Sequence, residues 1–314
     1  MGYLPRRLDA LRGGPTFRSD LFQIEQVGRG IWAAIGRPGS SILSNAGIVD
    51  LGTSTLVFDT FLTPQASSDL RTAAQVLTGR NPAFVVNSHW HFDHTLGNAM
   101  FGACTIYGTA TTAHLLTERG QALLVALEDP SWVEVTAALR IRTEEEKRPF
   151  YRHELGSELA ARMQLRDARD RVRIRAPDSI LEYRYTFPGP RSAMIVAGAG
   201  HSESDTVLFV TDEEVLFTGD LVSVGVHPRV GLPDVERWRS TLDKVANVRP
   251  RVLVPGHGPV ADTGACDAMK AYLDLIESVA GRDTPAEVPA EYANWLAPGR
   301  FHQSVALLRA ARAG

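Results

Sequence analysis

Residues 87–98 read NSHWHFDHTLGN, which puts His89, His91, Asp93 and His94 within six positions. Nothing else in the chain constrains its fold as tightly. The apolar run AFVVNSH (83–89) just before it predicts a strand. A strand continuing to His89 would turn His89 and His91 to the same side, with Asp93 and His94 on the turn that follows. Imidazoles and a carboxylate are what a borderline divalent ion such as zinc accepts. The plainer alternative is a polar loop with surface histidines. It fits poorly, because the whole chain has only nine histidines.

Composition narrows what can surround that motif. The 314 residues, 44% apolar and 22% charged, suffice for one large domain or two. A net charge of −3 argues against an extended grip on nucleic acid or an anionic membrane. Cys104 and Cys266 are the only cysteines and form no CxxC pair, so a disulfide scaffold is not expected and a reducing cytoplasm is. MGYLPRRLDALRGG at the start holds no apolar segment of secretory length, and no stretch approaches the roughly 18 apolar residues of a membrane span. The expected partner is a small-molecule substrate, without nucleic acid or membrane. A homodimer is left open.

The order of elements predicts an α/β layered fold. Residues 1–20 read as a loose arm. FQIEQVGRGIWAAIG (22–36) alternates and breaks at glycines, and 44–52 with 54–60 read as a hairpin. A helix is predicted over 63–79, between Pro64 and Gly79. Strand 104–109 follows the motif. Residues 110–185 form a charged, helix-favouring insertion, with Leu155, Leu159, Met163 and Leu165 as a partial apolar stripe. Strands are predicted at 192–200, 205–211, 214–220 and 251–258, with helices at 235–248 and 265–282. A tail over 283–314 ends in a helix at 303–313.

A metal needs further ligands, and three polar motifs sit at predicted strand ends. They are His201 in GAGHSESD, Asp220 in LFTGDLV and His257 in VLVPGHGPV. Strand-end loops are where open α/β sheets build sites. Each motif alone reads as a turn. Their joint occurrence behind His-x-His-x-Asp-His is the specific signal.

In this order, HWHFDH, GHS, TGD and PGHG resemble the metallo-β-lactamase-fold hydrolase superfamily over roughly residues 22–280. The resemblance implies a four-layer αββα sandwich with the site at one edge, the domain running over 21–282. It implies that His89, His91 and His201 hold one metal and that Asp93, His94 and His257 hold a second, with Asp220 bridging. Two divalent ions are expected, zinc first, with iron or manganese as alternatives. Shared water between such ions would give hydroxide near pH 7. Asp93 would orient it or take its proton. The Asp at 220 looks more like the thioesterase, lactonase and phosphodiesterase branches than like true β-lactamases, which usually lack it.

Other residues carry weaker signals. The resemblance gives Asp59, in LVFDT, a role in orienting a ligand histidine; a strand-end turn is the alternative. His227 is a candidate for polarising a substrate carbonyl from a groove loop. His114 and His302 read as structural, and Gly97-Asn98 as a tight turn. Trp90 and Phe92 are expected to pack the loop. Trp132, Phe150 and Tyr151 line either a pocket or a helix core. The Arg/Lys excess over 140–175 would favour an anionic substrate tail if those helices overhang the groove.

The leading expectation is a dinuclear zinc hydrolase whose bridging hydroxide cleaves an ester, thioester or lactone. The alternatives are a phosphodiesterase or nuclease on the same site, an iron-dependent redox protein, and a non-catalytic binding module.

Overall fold

The computed structural model describes residues 16–42, 44–230 and 234–313. Most of the expected N-terminal arm lies outside those residues. Its last part is packed: Phe17 stacks on Phe22 with ring centroids 6.2 Å apart, and the Ser19 hydroxyl donates to Asp69.

Two hairpins start the first sheet. Strands β1 (Phe22–Gly28), β2 (Ile31–Gly36), β3 (Ala46–Asp50) and β4 (Thr55–Phe58) pair antiparallel in sequence order. Helix α1 (Pro64–Thr78) then crosses back, so that β5 (Pro82–Val86) runs parallel to β4. Its ends follow local chemistry. The Thr63 side chain caps the Ala66 amide, Pro64 opens the first turn, and Gly79 closes it in the left-handed region. A short helix α2 (Phe92–Thr95) leads to β6 (Thr105–Gly108), which is parallel to β5.

The insertion is three helices, α3 (Ala110–Glu128), α4 (Ser131–Glu145) and α5 (Pro149–Asp167). They close over their own core of Leu127, Trp132, Ala161, Leu165 and Val172, with Leu62 and Leu96. The buried face of α5 is Ser157, Ala161 and Leu165, while Met163 is exposed. Of the expected stripe, Leu165 is buried and Leu155 and Leu159 are half-buried, so only Met163 is turned out. Small residues let α5 lie close to its neighbour, and hydrophobicity alone does not reveal that face.

Strand β7 (Ser179–Ile180) finishes the seven-stranded sheet in the order β1 to β7. The second sheet collects β8 (Arg184–Thr186), β9 (Ala193–Gly198), β10 (Asp205–Val210), β11 (Val215–Phe217) and β12 (Val252–Val254) in the order β12-β11-β10-β9-β8. Helices α6 (Val235–Asn247), α7 (Gly264–Ala280) and α8 (Pro298–Ala313) complete the described chain.

The αββα layering is visible in what each face buries. Ala33, Val49 and Phe58 of the first sheet meet Ile195, Leu208 and Phe217 of the second. Outside the first sheet, Ile48, Val57 and Val85 pack on Leu70, Ala74 and Leu77 of α1. Outside the second, Leu216 and Leu253 pack under Trp238, Leu242, Tyr272, Ile276 and Phe301 of α6, α7 and α8. Helix α8 thus starts five residues before the predicted 303 and belongs to the outer layer.

Site-bearing strands stop earlier than the sequence predicts. Strand β5 ends at Val86 and β12 at Val254, so Asn87–His91 and Pro255–His257 are loop. Strand alternation therefore does not align His89 with His91.

Gly97 packs where no side chain fits, since a Cβ there would lie 1.9 Å from the Ser67 hydroxyl and 2.1 Å from the Thr60 carbonyl oxygen. Gly97→Ala should lower unfolding free energy by about 1–3 kcal/mol in chemical denaturation, because both partners are buried, Ser67 in α1 and Thr60 in the loop after β4.

Candidate metal centre

Five loops meet at one edge of the sandwich. The loop after β4 brings Asp59, the loop after β5 brings His89, His91, Asp93 and His94, and the loop after β9 brings His201. Those after β11 and β12 bring Asp220 and His257. The candidate ligand atoms form two groups, His89/His91/His201/Asp220 and Asp93/His94/His257, each with its atoms within 4.8 Å of one another.

In the first group, His91 Nδ1 lies 2.9 Å from His89 Nε2 and 3.1 Å from His201 Nε2. Asp220 Oδ2 is 3.3 Å from His201 Nε2 and 3.8 Å from His89 Nε2. In the second, Asp93 Oδ2 stands 3.8 Å from His94 Nε2 and 3.6 Å from His257 Nε2. Asp220 reaches this group too, with Oδ1 3.0 Å from His94 Nε2 and Oδ2 3.1 Å from His257 Nε2. Its carboxylate therefore stands between both groups.

The site is tuned from behind by Asp59, which is buried with φ +60°, a left-handed conformation costly for a side-chain residue. Its carboxylate accepts bonds from the Ser88 amide and the Ser88 hydroxyl, both at 2.7 Å, and pairs with His94 Nδ1 at 2.7 Å. The Ser88 proton is thereby committed to Asp59. His89 Nδ1, 2.9 Å from the same hydroxyl, must then donate to it. This leaves Nε2 of His89 and of His94 as the nitrogens that face the cluster. Of the two readings of Asp59, the structure shows the orienting contact.

Electrostatics agree with a ligand set. Burial holds the imidazolium form of His89 well below the ordinary range, and pushes His91 down to about 4 and His201 to about 3. These rings are therefore neutral at pH 7, as metal coordination needs. Burial alone would raise the Asp220 carboxyl, but His257, His94 and His201 hold it well below its usual range. His94 is raised despite burial by Asp220, Asp59 and Asp93.

His94 Nε2 and Asp220 Oδ1 are buried without a hydrogen-bond partner, although they stand only 3.0 Å apart. Buried polar atoms left in that state cost free energy unless something completes them. Two divalent cations fit this donor set of five imidazoles and two carboxylates.

Several flanking residues have jobs that composition did not reveal. The Ser44 hydroxyl donates to the Asp93 carbonyl oxygen. The Asn45 amide donates to the carbonyls of Pro255 and Gly258 on either side of the His257 loop. Asn98, expected only to make a turn, joins Thr60, Asn87 and the Arg175 carbonyl. Asp205 pins the His201 loop by accepting from the Ser202 amide and hydroxyl. Trp90 turns outward, donating to Glu203 under the guanidinium of Arg119, and Phe92 packs on the insertion core.

His227 is not brought to this centre, which corrects its candidacy as a catalytic residue. Its ring is fully buried, with Nδ1 2.6 Å from the Tyr272 hydroxyl and the rings of Trp295 and Phe301 around it. Burial among these aromatics lowers it to about 4. The loop after Asp220 passes beneath the C-terminal segment, and aromatic packing draws the ring inward. His114 lies exposed on α3 beside Glu118, and His302 pairs with the Tyr151 hydroxyl at 2.6 Å. Trp132 is core, under Arg162.

A sequence model of the metallo-beta-lactamase superfamily matches residues 42–257. A 63-residue stretch is 36% identical to the atrochrysone carboxyl ACP thioesterase of Aspergillus fumigatus, covering 20% of this chain and 19% of that protein. Among solved structures, the metallo-beta-lactamase of Pontibacter korlensis superposes with a TM-score of 0.57 at 17% identity, over 81% of this chain and 99% of that one. FIM-1 from Pseudomonas aeruginosa, in its mono-zinc form, gives 0.56 at 14% identity over 81% and 95%. The enzyme of Hirschia baltica gives 0.54 at 16% identity over 80% and 97%. These structural likenesses concern the fold.

Asp59→Ala should fold but bind divalent metal about 10–100-fold more weakly in competition with a chromophoric chelator, because both histidines lose their orienting partner. Asp205 gives a pH signature. Burial raises its carboxyl to about 7, while the unfolded chain releases that proton near roughly 4. Folding therefore retains a proton across that window, and stability falls as pH rises through it. The Tm of Asp205→Asn should gain on the native Tm between pH 5 and 7.5; parallel profiles would refute this. With the family match spanning every one of the seven clustered side chains, the chain belongs to the metallo-beta-lactamase superfamily of metal-dependent hydrolases.

Proposed function

We propose that the protein is a dinuclear metallohydrolase that cleaves an acyl C–O or C–S bond, in an ester, thioester or lactone, with zinc as the expected metal. The observation that carries this reading is Asp220, whose carboxylate oxygens reach both ligand groups. A single 63-residue stretch of likeness to a thioesterase supports the same bond type. The net charge of −3 favours a small substrate over nucleic acid.

When bound, such ions supply Lewis acidity and water activation at neutral pH. The chain's own residues set the rest. Neutral His89, His91 and His201 leave the first position with Asp220 as its single anionic ligand, whereas Asp93 and Asp220 both face the second. Asp93 is the more accessible of the two carboxylates, at 17% side-chain exposure against 7% for Asp220. It is the carboxylate placed to accept a proton from the attacking water or to pass one to the leaving group. Asp59 and Ser88 hold the rings in place while charge moves.

Purified protein should carry about two metal ions per chain by plasma mass spectrometry. Asp220→Ala should hold one or none, with thioester, ester and lactone turnover reduced by about a thousandfold or more. Full activity after exhaustive chelation, or cleavage confined to phosphodiesters, would overturn the proposal.

A further inference from the structure

A cavity of about 700 Å³, large enough for a small-molecule substrate, is walled in part by the loop that carries His257, although none of the seven clustered side chains lines it. Gly258 and Pro259, which line it, directly follow His257. Asn45, also on its wall, is the residue that ties down the His257 loop, and its neighbour Ser44 holds the Asp93 carbonyl. The cavity thus adjoins the metal centre through shared loops. Its far walls belong to α5 of the insertion and to the segment entering α8.

The chemistry of the walls is uneven. Ile35, Ile42, Val224, Val226 and Leu296 make an apolar floor. Arg229 and Arg300 stand above it, and among the described residues neither forms an ion pair. The basic residues of α5 do not line the cavity, contrary to the expectation for 140–175. That helix contributes His153, Glu154, Ser157 and Glu158.

Two wall carboxylates are already engaged. Glu154 Oε2 accepts from the Gly299 amide at 2.7 Å, and Glu25 accepts from Gln23 at 2.6 Å. Glu158 is exposed. Arg229 is close enough to both sides to be felt on each: its charge opposes protonation of His91 and favours ionisation of Glu154. It lines the cavity, and its charge is felt at the ligand residue His91. An unpaired guanidinium over an apolar floor is suited to a carboxylate or phosphate attached to a hydrocarbon.

We propose that this cavity is the substrate subsite and that Arg229, aided by Arg300, makes it selective for a substrate bearing a carboxylate or a phosphate. The proposal rests on the acyl-hydrolase reading for its reaction, and on the cavity for its selectivity.

Three thioesters test it. S-hexanoyl-N-acetylcysteamine is neutral, S-adipoyl-N-acetylcysteamine carries a carboxylate on the acyl side, and S-hexanoyl-4′-phosphopantetheine carries a phosphate on the leaving side. The native enzyme should prefer one charged thioester over the neutral one by about tenfold or more in kcat/KM, chiefly through KM. Which one is preferred identifies the source of the charge. That preference should fall by at least tenfold in Arg229→Ala and return in part in Arg229→Lys. Equal turnover of all three, or a preference that survives in the Arg229→Ala/Arg300→Ala double variant, would overturn the proposal.

Turnover of none of the three would instead count against the hydrolase reading. Calorimetry with non-hydrolysable thioethers then reads the subsite by itself. Either the carboxylate or the phosphate thioether should bind at least tenfold tighter than the neutral one, and Arg229→Ala should abolish the difference. Equal binding of all three thioethers would refute the subsite.

Discussion

A single buried carboxylate organises the metal centre. Asp59 takes the Ser88 amide and hydroxyl and pairs with His94, and through Ser88 it also sets the proton on His89. One side chain thereby aims a nitrogen into each of the two ligand groups. The left-handed backbone at Asp59 is the cost of turning that carboxylate inward at the end of β4. The backbone participates too, since the Asp59 amide donates to the Val86 carbonyl at the end of β5. The two central parallel strands therefore fix the site between them, as strand-end chemistry in layered α/β folds requires.

Around this centre the fold divides its labour. The two sheets and their outer helices supply rigid ends for the ligand loops. Close packing holds those ends: a Cβ on Gly256 would fall 2.1 Å from Asp220 Oδ1. The cavity walls join the first sheet and the His257 loop to α5 of the insertion, the loop after Asp220 and the approach to α8. The insertion and the C-terminal segment thus contribute to the cavity without supplying any of the seven clustered side chains. This is why a shared fold at 14–17% identity says little about what is hydrolysed.

Some of this was legible in the residues alone. Helix α1 ends within a residue of its predicted bounds, because Thr63, Pro64 and Gly79 are local signals. The layered class followed from the alternation of strands and helices. The ends of β5 and β12 were not legible, since a strand stops where its partner's ladder stops, and that partner is distant in sequence. The buried face of α5 was legible only in part for a similar reason, as α4 decides which side is covered. His227 looked like a groove residue because its loop follows Asp220. Only the position of Tyr272, Trp295 and Phe301 shows that the ring is drawn into the core.

The sequence by itself determined the donor set, since five imidazoles and two carboxylates at strand-end motifs are a matter of side-chain type and spacing. Ser88, Ser44, Asn45 and Arg229 carried no comparable signal, because a serine, asparagine or arginine in a loop is ordinary until its neighbours are known. Only the tertiary structure decided which ring nitrogen faces the ligand cluster, which carboxylate reaches both groups and which cations line the cavity. Those properties rest on contacts between residues far apart in the chain, such as Asp59 with Ser88 and Asn45 with Gly258, and so do not exist before the two sheets have closed.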